Sequence, residues 1–333
     1  MGAMSRIINK RVLVTGGLGF IGSNLSLALR DAGNRVTVLD SLVEGHGGKL
    51  ANLDGADDIE VVIGDISDHA VVAEIAGRVD IVFNVAGQVS HHDSMLDPTQ
   101  DTRINVFAQL DFLETLRRVR PDACVVHTST RQVYGMARYL PVDEDHPTIP
   151  RDVNGANKLA GESYHRLYGE VHGMRTVCLR LSNIFGPRQC LDKSGLGFMP
   201  VFIARALRGE DLVVFGEGEQ TRDLLLVDDL VSALLEAGKR LEDGSLPSGQ
   251  VINVGHDEVY SLRDIATQVC AIADSGSRVR HEAWPVGLDR IDVGAFRGDY
   301  DKARRLLGWQ GSTPFEQSVE RTLDFYRANP WYL

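Results

Sequence analysis

The front half of the chain alternates short apolar runs with segments of helical periodicity. Five runs rich in β-branched residues read RVLVTGG, RVTVLD, IEVVIGD, VDIVFNVAG and ACVVHTST, and TVCLRLSNIFGP follows them as a sixth. Amphipathic stretches such as FIGSNLSLALRDAG and TRINVFAQLDFLETLRRV lie between several of these runs. Continuous apolar strands separated by helices are typical of a parallel sheet that is covered on both faces. The pattern therefore predicts an α/β fold built on a doubly wound parallel sheet.

This regular alternation loosens after about residue 185. FMPVFIARALRG and VDDLVSALLEAG keep helical periodicity and GQVINVG reads as a strand, whereas RQCLDKSGLGF has the composition of a loop and SGSRVRHEAWPVGLDRIDVG is irregular. We predict a sheet domain over residues 1–183, to which a segment near residues 226–256 returns. Residues 184–333 would otherwise form a smaller C-terminal α/β lobe that covers the mouth of the sheet and binds the substrate.

The net charge and the cysteines narrow the partners that we expect. The formal net charge is -11 over 333 residues, so the surface repels phosphate backbones and we expect no nucleic-acid partner. The cysteines are scattered, with no C-x-x-C and no histidine spacing suited to a metal, which indicates reduced thiols and no metal site. No apolar run approaches the length of a membrane helix, and MGAMSR lacks the apolar region of a signal peptide. We therefore expect a cytoplasmic protein without membrane contact.

A glycine-rich turn joins the first predicted strand to the first predicted helix. TGGLGFIG places Gly16, Gly19 and Gly22 there, and glycine lets the backbone approach a pyrophosphate at a helix N-terminus. Glycines alone indicate only a tight turn, but Asp40 ends the second strand, where a carboxylate can bind both hydroxyls of an adenosine ribose and repel a 2′-phosphate. The combination predicts a bound dinucleotide, NAD rather than NADP, with residues 65–66 flanking its adenine.

Six motifs in a fixed order make the sequence resemble a known family. TGGLGFIG, FNVAGQVS, TSTRQVYG, NGANKLAGE, LRLSNIFGPR and GEGEQTRDLLLVDDL are similar to motifs of the extended short-chain dehydrogenase/reductases, in the group of NAD-dependent nucleotide-sugar epimerases and dehydratases. The resemblance covers nearly the whole chain. It implies a Rossmann-type fold, NAD as the cofactor and a nucleotide-diphosphate sugar as the substrate. It also implies a homodimer that pairs the helices NVFAQLDFLETL and KLAGESYHRLYG.

The resemblance assigns roles to individual residues of this chain. Thr130 would hydrogen-bond the sugar hydroxyl that is oxidised, and Lys158 would bind the nicotinamide ribose. Asn183 would contact the sugar nucleotide, Arg222 its pyrophosphate, and Arg290 lies near a second family arginine in a loosely aligned region. The cofactor residues are then Gly16, Gly19, Phe20, Ile21, Gly22, Asp40, Asp65, Ile66, Ala86 and Lys158, and the substrate residues are Ser90, Ser94, Thr130, Asn183, Arg222 and Arg290.

One departure from the family pattern concerns the catalytic base. The residue four positions before Lys158 is Asn154, whereas the family carries there a tyrosine that removes the hydroxyl proton. An amide does not titrate near neutral pH, so Asn154 cannot be the base. It could orient a hydroxyl, cap the helix of Lys158, or form with Gly155 a simple turn into that helix.

Another group must therefore accept the proton if catalysis persists. His91 and His92 lie in GQVSHHDSM, on the loop that faces the nicotinamide in this family, and histidine titrates in the right range. Of the two, His91 aligns better with residues that face the nicotinamide. Lys158, directly or through Thr130 or a water, is the other candidate, because a lysine beside NAD⁺ would have a lowered pKa and could serve as the base. We predict a catalytic set of Thr130, Lys158, Asn154 and His91.

A second departure follows Thr130. The sugar 4,6-dehydratases of the family carry Asp-Glu at positions 131 and 132, and this chain has Arg131 and Gln132. Neither side chain can shuttle a proton at neutral pH, which disfavours dehydration, and decarboxylation also loses support. The leading prediction is an NAD-dependent nucleotide-sugar epimerase that works through a transient keto sugar. The alternatives are an oxidoreductase that uses exchangeable NAD and a catalytically silent nucleotide-sugar binding protein.

Overall fold

A seven-stranded parallel sheet forms the centre of the computed structural model, which describes residues 7–191, 197–285 and 292–333. Its spatial order is β10-β6-β5-β4-β1-β2-β3, so the winding direction changes between β1 and β4, where open α/β sheets bind ligands. The predicted doubly wound, Rossmann-type sheet is confirmed. The strands are β1 (Arg11–Thr15), β2 (Arg35–Asp40), β3 (Glu60–Ile63), β4 (Ile81–Asn84), β5 (Cys124–Thr130), β6 (Arg175–Leu181) and β10 (Gln250–Val254).

Helices cover both faces of this sheet. Strand side chains point alternately to the two faces, so Leu13 and Val125 pack with Phe112 on one face while Val12 and Val126 belong to the core on the other. On the first side lie α2 (His69–Ala76), α5 (Ala108–Val119) and α6 (Val153–Glu170), and on the second lie α1 (Phe20–Asp31) and α8 (Val227–Glu242). The nearly continuous apolar strands follow from this double coverage. No helix among the described residues is long and apolar enough to cross a membrane.

A second, smaller core lies in the later part of the chain. Phe202, Ile265 and Leu323 belong to its buried side chains. Two small sheets accompany it, one of order β11-β9-β7 and one that pairs β12 with β8. The elements are β7 (Asn183–Phe185), α7 (Phe198–Leu207), β8 (Leu212–Phe215), β9 (Thr221–Leu226), β11 (Val259–Ser261), α9 (Leu262–Ala273), β12 (Val279–Glu282), α10 (Asp301–Leu307) and α11 (Phe315–Ala328).

The structure divides two segments that the sequence pattern presents as continuous. The sixth apolar run forms β6 and then leaves the main sheet. The last bond to that sheet is from the Ser182 N–H to the Val254 carbonyl of β10, and the next strand of the run, β7, pairs with β9. The predicted helix over residues 102–119 begins instead with a π-turn at Arg103–Phe107, between the short helix α4 (Pro98–Thr102) and α5. A π-turn widens the helix locally, and here it carries Asn105, whose side chain is buried.

One short strand occurs in the segment that the sequence presents as irregular. β12 lies within residues 275–294 and pairs in parallel with β8. The alternation of polar and apolar residues is not recognisable there because β12 has only four residues. Residues 286–291 of that segment, and residues 192–196 of the predicted loop over residues 188–198, lie outside the described residues.

Candidate active site

The glycine turn and the ends of β2, β3 and β4 line one cavity of about 450 Å³. This volume lies within the range of small-molecule sites, and the cavity lies at the carboxyl edge of the parallel sheet, beside the switch in winding direction. Most of the residues predicted to bind the cofactor line it, namely Gly16, Gly19, Phe20, Ile21, Gly22, Asp40, Asp65, Ile66 and Ala86.

Close backbone packing explains the glycines of the turn. A Cβ on Gly22 would collide with the Gly16 carbonyl, and a Cβ on Gly16, whose φ is +66°, would lie 2.9 Å from the backbone of Ala86. Gly19 is the N-cap of α1 and offers no side-chain oxygen to the first N–H groups of that helix. Backbone N–H groups left without a side-chain partner at a helix N-terminus suit a phosphate.

Asp40 is fixed beside this turn by the backbone. Its two carboxylate oxygens accept the N–H of Leu18 at 3.0 Å and the N–H of Leu42 at 2.9 Å. A carboxylate held at this place can still accept ribose hydroxyls, since each oxygen has more than one lone pair. The turn and Asp40 together fit the pyrophosphate and the adenosine ribose of NAD.

Lys158 lies in the second turn of α6 and is only 6% exposed. Burial lowers the pKa of its ammonium to about 8, although the nearby Asp101 carboxylate acts in the opposite direction. In the part of the chain that the structure describes, no carboxylate lies within ion-pair distance of this ammonium. A lysine with this pKa is partly neutral at physiological pH, so it can accept a proton.

The Lys158 ammonium and the Asn105 side chain meet at Gly87, which follows β4. A Cβ on Gly87 would collide with Lys158 Nζ and would lie 2.9 Å from Asn105 Oδ1. Asn105 Oδ1 is buried without a hydrogen-bond partner among residues 7–191, 197–285 and 292–333. An unpaired acceptor beside an ammonium fits a hydroxyl, which both donates and accepts. Lys158 and Asn105 would therefore hold a ribose hydroxyl at the nicotinamide end of NAD.

The helix that carries Lys158 begins earlier than the sequence suggests. α6 starts at Val153, and the Asp152 side chain caps it by accepting the Gly155 N–H at 2.7 Å. The interpretations of Asn154 as the helix cap, or as a turn before the helix, are therefore wrong, because Asp152 supplies the capping oxygen and Asn154 already lies inside the helix.

The Asn154 side chain belongs to a buried polar network. Its amide donates to the Gln88 carbonyl at 2.9 Å, to Gln88 Oε1 at 3.1 Å and to Asp101 Oδ2 at 3.0 Å. Asp101 is 1% exposed and also accepts hydrogen bonds from Asn105 at 3.1 Å and Asn157 at 2.8 Å. Asn154 thus stabilises a buried carboxylate close to Lys158 through its donors, and a catalytic role for it stays a prediction.

His91 contacts the N-terminus of α6. It begins α3 (His91–Leu96), and its Nδ1 lies 2.7 Å from Asp152 Oδ2. Burial works to raise the pKa of Asp152, but the hydrogen bond and charge of His91 outweigh it, so this pKa lies below its usual value. His92 is exposed, with its Nδ1 3.6 Å from Asp93. His91 therefore joins α3 to the cap of α6, and its role as a base stays a prediction.

The two serines of this region also bond within the protein. Ser90 Oγ accepts the Asp93 N–H at 3.2 Å and caps α3. The fully buried Ser94 donates to the His91 carbonyl at 2.8 Å and accepts the Asn154 N–H at 3.2 Å. The Ser94 hydroxyl therefore holds α3 against α6, and contacts of Ser90 and Ser94 with the substrate stay predictions.

A buried ion pair fixes α6 against β5 and β6. Arg180 donates to the two Glu162 carboxylate oxygens at 2.9 and 2.6 Å, and Glu162 also accepts from the Ser129 hydroxyl at 2.7 Å. Burial opposes the charge on Arg180, but Glu162 raises the pKa of Arg180 above its usual value. Glu162 lies one helical turn after Lys158 and Ser129 directly precedes Thr130, so this pair sets the position of Lys158 relative to Thr130.

Three further polar residues lie near the edge where β7 and β9 pair. Asn183 begins β7, and the buried Arg222 in β9 donates to Asp292 at 3.0 Å. Burial lowers the pKa of Arg222. Arg131 enters the sequence analysis only as the residue that stands where the dehydratases carry an aspartate. In the structure it is 7% exposed and donates to Asn183 Oδ1 at 3.1 Å. Arg290, predicted to bind the substrate, lies outside the described residues.

Several residues of the site escape sequence reasoning. Asp101, Gln88 and Asn105 have no pattern that distinguishes them from surface polar residues of a loop and a helix. The Glu162–Arg180 pair does leave a signal, because Arg180 interrupts the apolar run TVCLRL and Glu162 follows Lys158 by one helical turn. A charge in a strand that is buried on both faces requires a partner.

Comparison with known proteins agrees with this arrangement. The profile of the NAD dependent epimerase/dehydratase family matches residues 12–255. A UDP-glucose 4-epimerase of Mycolicibacterium smegmatis is 33% identical over 95% of this chain and 98% of its own length, and a dTDP-glucose 4,6-dehydratase of Xanthomonas campestris is 32% identical over 95% and 93%. The crystal structure of a UDP-glucose 4-epimerase from Thermotoga maritima with UDP-glucose superposes with a TM-score of 0.87 at 28% identity, covering 96% of this chain and 99% of that one.

The chain therefore belongs to the NAD-dependent epimerase/dehydratase family of the extended short-chain dehydrogenase/reductases. NAD is the cofactor of this family. Its members include epimerases, dehydratases and decarboxylases of nucleotide sugars, which the relatives of this chain represent. The expected family, fold and cofactor are confirmed, and membership alone does not distinguish among these reactions.

Proposed function

We propose that this protein is an NAD-dependent epimerase of a nucleotide-diphosphate sugar in which Lys158 replaces tyrosine as the proton acceptor. The observation that carries the proposal is the buried Lys158 ammonium at Gly87, with a pKa of about 8. NAD, held by the glycine turn and Asp40, would supply reversible hydride transfer at one sugar carbon, and return of the hydride to the other face of the keto sugar would invert that carbon. Lys158 would accept the hydroxyl proton as the carbonyl forms and give it back as the carbonyl is reduced.

Thr130 and Arg222 have supporting roles in this proposal. Thr130 ends β5, and its Oγ1 accepts the Gln132 N–H at 3.2 Å, which leaves the hydroxyl hydrogen available to a sugar oxygen. Arg222 would bind the diphosphate, since a guanidinium matches phosphate oxygens in shape and charge. His91 is the second candidate for the base, because Asp152 bonds its Nδ1 and leaves Nε2 to accept a proton.

The residues after Thr130 favour epimerisation over dehydration. Removal of water from the sugar needs an acid and a base beside the ring, and Arg131 and Gln132 provide neither. A dehydratase relative of similar identity exists, so the distinction rests on these two side chains. We expect that incubation with dTDP-glucose gives no 4-keto-6-deoxy product, which alkaline absorbance would detect.

A test of the epimerase proposal compares Lys158→Met with Lys239→Met. Each NAD-loaded protein is mixed with a nucleotide sugar labelled with deuterium at the oxidised carbon, and NMR follows the appearance of the epimer. Lys158→Met should lose at least about 100-fold of the rate, the usual cost of removing a positioned base. Lys239, which lies in α8 with only a long 4.0 Å contact to Asp243, should tolerate the change.

Two outcomes would overturn the proposal. Net release of reduced cofactor with no epimer would favour an oxidoreductase. A wild-type protein that binds nucleotide sugars but neither reduces NAD nor inverts the labelled carbon would be a silent binding protein, and the fully bonded Asn154 amide would then be a purely structural replacement.

We propose further that the protein is a homodimer through α5 and α6. These helices pack side by side, and their flanks expose the apolar side chains of Phe107, Leu167 and Val171. Exposed apolar side chains on neighbouring helices support a symmetric helix-to-helix interface.

A further inference from the structure

Arg131 is a buried cation that makes no ion pair with any residue that the structure describes. It follows Thr130 directly and leaves β5 in a short 3-10 turn, with its guanidinium 4.8 Å from the centre of the Phe296 ring. Among the described residues, the only hydrogen-bond acceptor of the Arg131 guanidinium is the uncharged Asn183 Oδ1. A guanidinium has several donors and strongly prefers a carboxylate or phosphate partner when it is buried.

The acids nearest to Arg131 are engaged elsewhere. Asp292 accepts from Arg222 at 3.0 Å and from the Gly294 N–H at 3.0 Å. Asp223 is fully buried and accepts from the Ser182 and Tyr300 hydroxyls and from the Gly298 N–H. Each carboxylate is therefore oriented by other donors, and neither makes an ion pair with Arg131.

Burial and the neighbouring Arg222 together lower the pKa of Arg131 to about 10. The lowered pKa means that the charged guanidinium is less stable at this buried position than it is in water. An anionic ligand group that bonded Arg131 would remove this penalty, in the way that Glu162 does for Arg180.

We propose that Arg131, with Asn183, binds a carboxylate on the sugar ring, so that the substrate is a nucleotide-diphosphate hexuronic acid rather than a neutral hexose. The proposal rests on the nucleotide-sugar function proposed above. Arg131 directly follows Thr130, which is assigned to the reacting hydroxyl, and its guanidinium bonds Asn183, which is assigned to the sugar nucleotide. These two neighbours support a contact of Arg131 with the sugar. Arg222, which also bonds Asp292, keeps its assignment to the diphosphate.

The experiment measures binding rather than turnover. Calorimetry on the NAD-loaded protein first ranks the affinities for UDP, dTDP, GDP and CDP. The nucleoside diphosphate that binds most tightly is then compared with the nucleotide hexose and the nucleotide hexuronate that contain it. We expect the wild type to bind the hexuronate at least about 10-fold more tightly than the hexose, the size of one charge-assisted contact. Arg131→Gln should abolish this preference and change hexose binding by less than about threefold, whereas Arg131→Lys should keep part of it.

Three results overturn the proposal in distinguishable ways. Equal wild-type affinity for hexose and hexuronate removes the carboxylate site alone and leaves the nucleotide-sugar function standing. If Arg131→Gln weakens the free diphosphate as much as the hexuronate, Arg131 binds phosphate instead. If no nucleoside diphosphate or nucleotide sugar binds, the proposed function fails and the carboxylate site fails with it.

Discussion

At Asn154 an amide replaces the family's tyrosine, and the structure surrounds it with acceptors. The Asn154 amide donates to Gln88 and Asp101, so the position has become part of the support for Lys158. Burial lowers the pKa of Lys158, and the buried Asp101 opposes this lowering without cancelling it. In the function proposed above, the proton acceptor is therefore residue 158 instead of residue 154.

Replacing Asn154 by alanine should damage stability more than catalysis. The variant removes donors from the buried Asp101, and an unsatisfied buried group costs about 1–3 kcal/mol, whereas no titratable group is lost. We expect single-turnover rates within about tenfold of the wild type and a lower denaturant midpoint. Asn157→Ala removes a more exposed donor to the same carboxylate and serves as the control. A rate loss beyond 100-fold at unchanged stability would contradict this role.

The pH dependence of the reaction should report the Lys158 pKa. The folded protein holds this pKa below the usual value of 10.5, at about 8. Below that pH the lysine is protonated and cannot accept a proton, so the single-turnover rate should rise about tenfold per pH unit and level off above it. The positive charge of bound NAD would move the midpoint downward. Stopped-flow absorbance of the reduced cofactor at a series of pH values measures this, and a flat profile would refute Lys158 as the base.

At the scale of elements, α6 is anchored at its N-terminus and near its middle. Asp152 caps it and bonds His91 of α3, while Glu162 pairs with Arg180 of β6. Lys158 lies between these two anchors. The π-turn before α5 brings Asn105 to the same place from the other side. Positioning of the lysine therefore depends on contacts among α3, α5, α6 and the sheet.

Replacement of His91 by glutamine should separate an anchoring role from a catalytic one. Loss of the contact to Asp152 weakens the cap of α6, and we expect a stability loss on the order of 1 kcal/mol with a rate reduced by less than about tenfold. His92→Gln alters the exposed neighbour and should change neither quantity. A rate loss above 100-fold for His91→Gln alone would make His91 the base. Equilibrium unfolding and single-turnover kinetics on the three proteins decide between these roles.

On the scale of the whole molecule, the sheet and the later segments meet at the carboxyl edge of the strands. β6 ends at Leu181 in the main sheet, and within a few residues β7 pairs with β9 in the other sheet. This crossing brings Asn183 and Arg222 beside Arg131. The candidate site thus lies where the chain passes from one core to the other.

The proposed dimer should respond to charge at the flanks of α5 and α6. Leu167→Glu and Val171→Glu each place a carboxylate on an exposed apolar surface, so burial in an interface would become costly. We expect light scattering to give a dimer mass for the wild type at micromolar concentration and a monomer mass for both variants. Ile8→Glu changes a comparably exposed apolar residue away from these helices and should stay dimeric. A monomeric wild type would end the proposal.

The sequence by itself determined the sheet, the glycine turn and the choice of cofactor, because these depend on local order along the chain. Apolar runs predict buried strands, and Gly16, Gly22 and Asp40 follow their strands at fixed offsets, so the structure only assembles them. The switch from β6 to β7 is less visible, since both strands are apolar and only the pairing of β7 with β9 separates them.

Only the tertiary structure decided what surrounds the charged groups. Asn154 bonds Asp101 across 53 residues of chain, and Arg180 bonds Glu162 on another element. The pKa of Lys158 is likewise a property of burial and of neighbours distant in sequence, and so is the pairing of Arg131 with the uncharged Asn183 in the described part of the chain. A charge in a low-dielectric interior is governed by all the groups within a few ångströms, and no spacing along the chain records which groups those are.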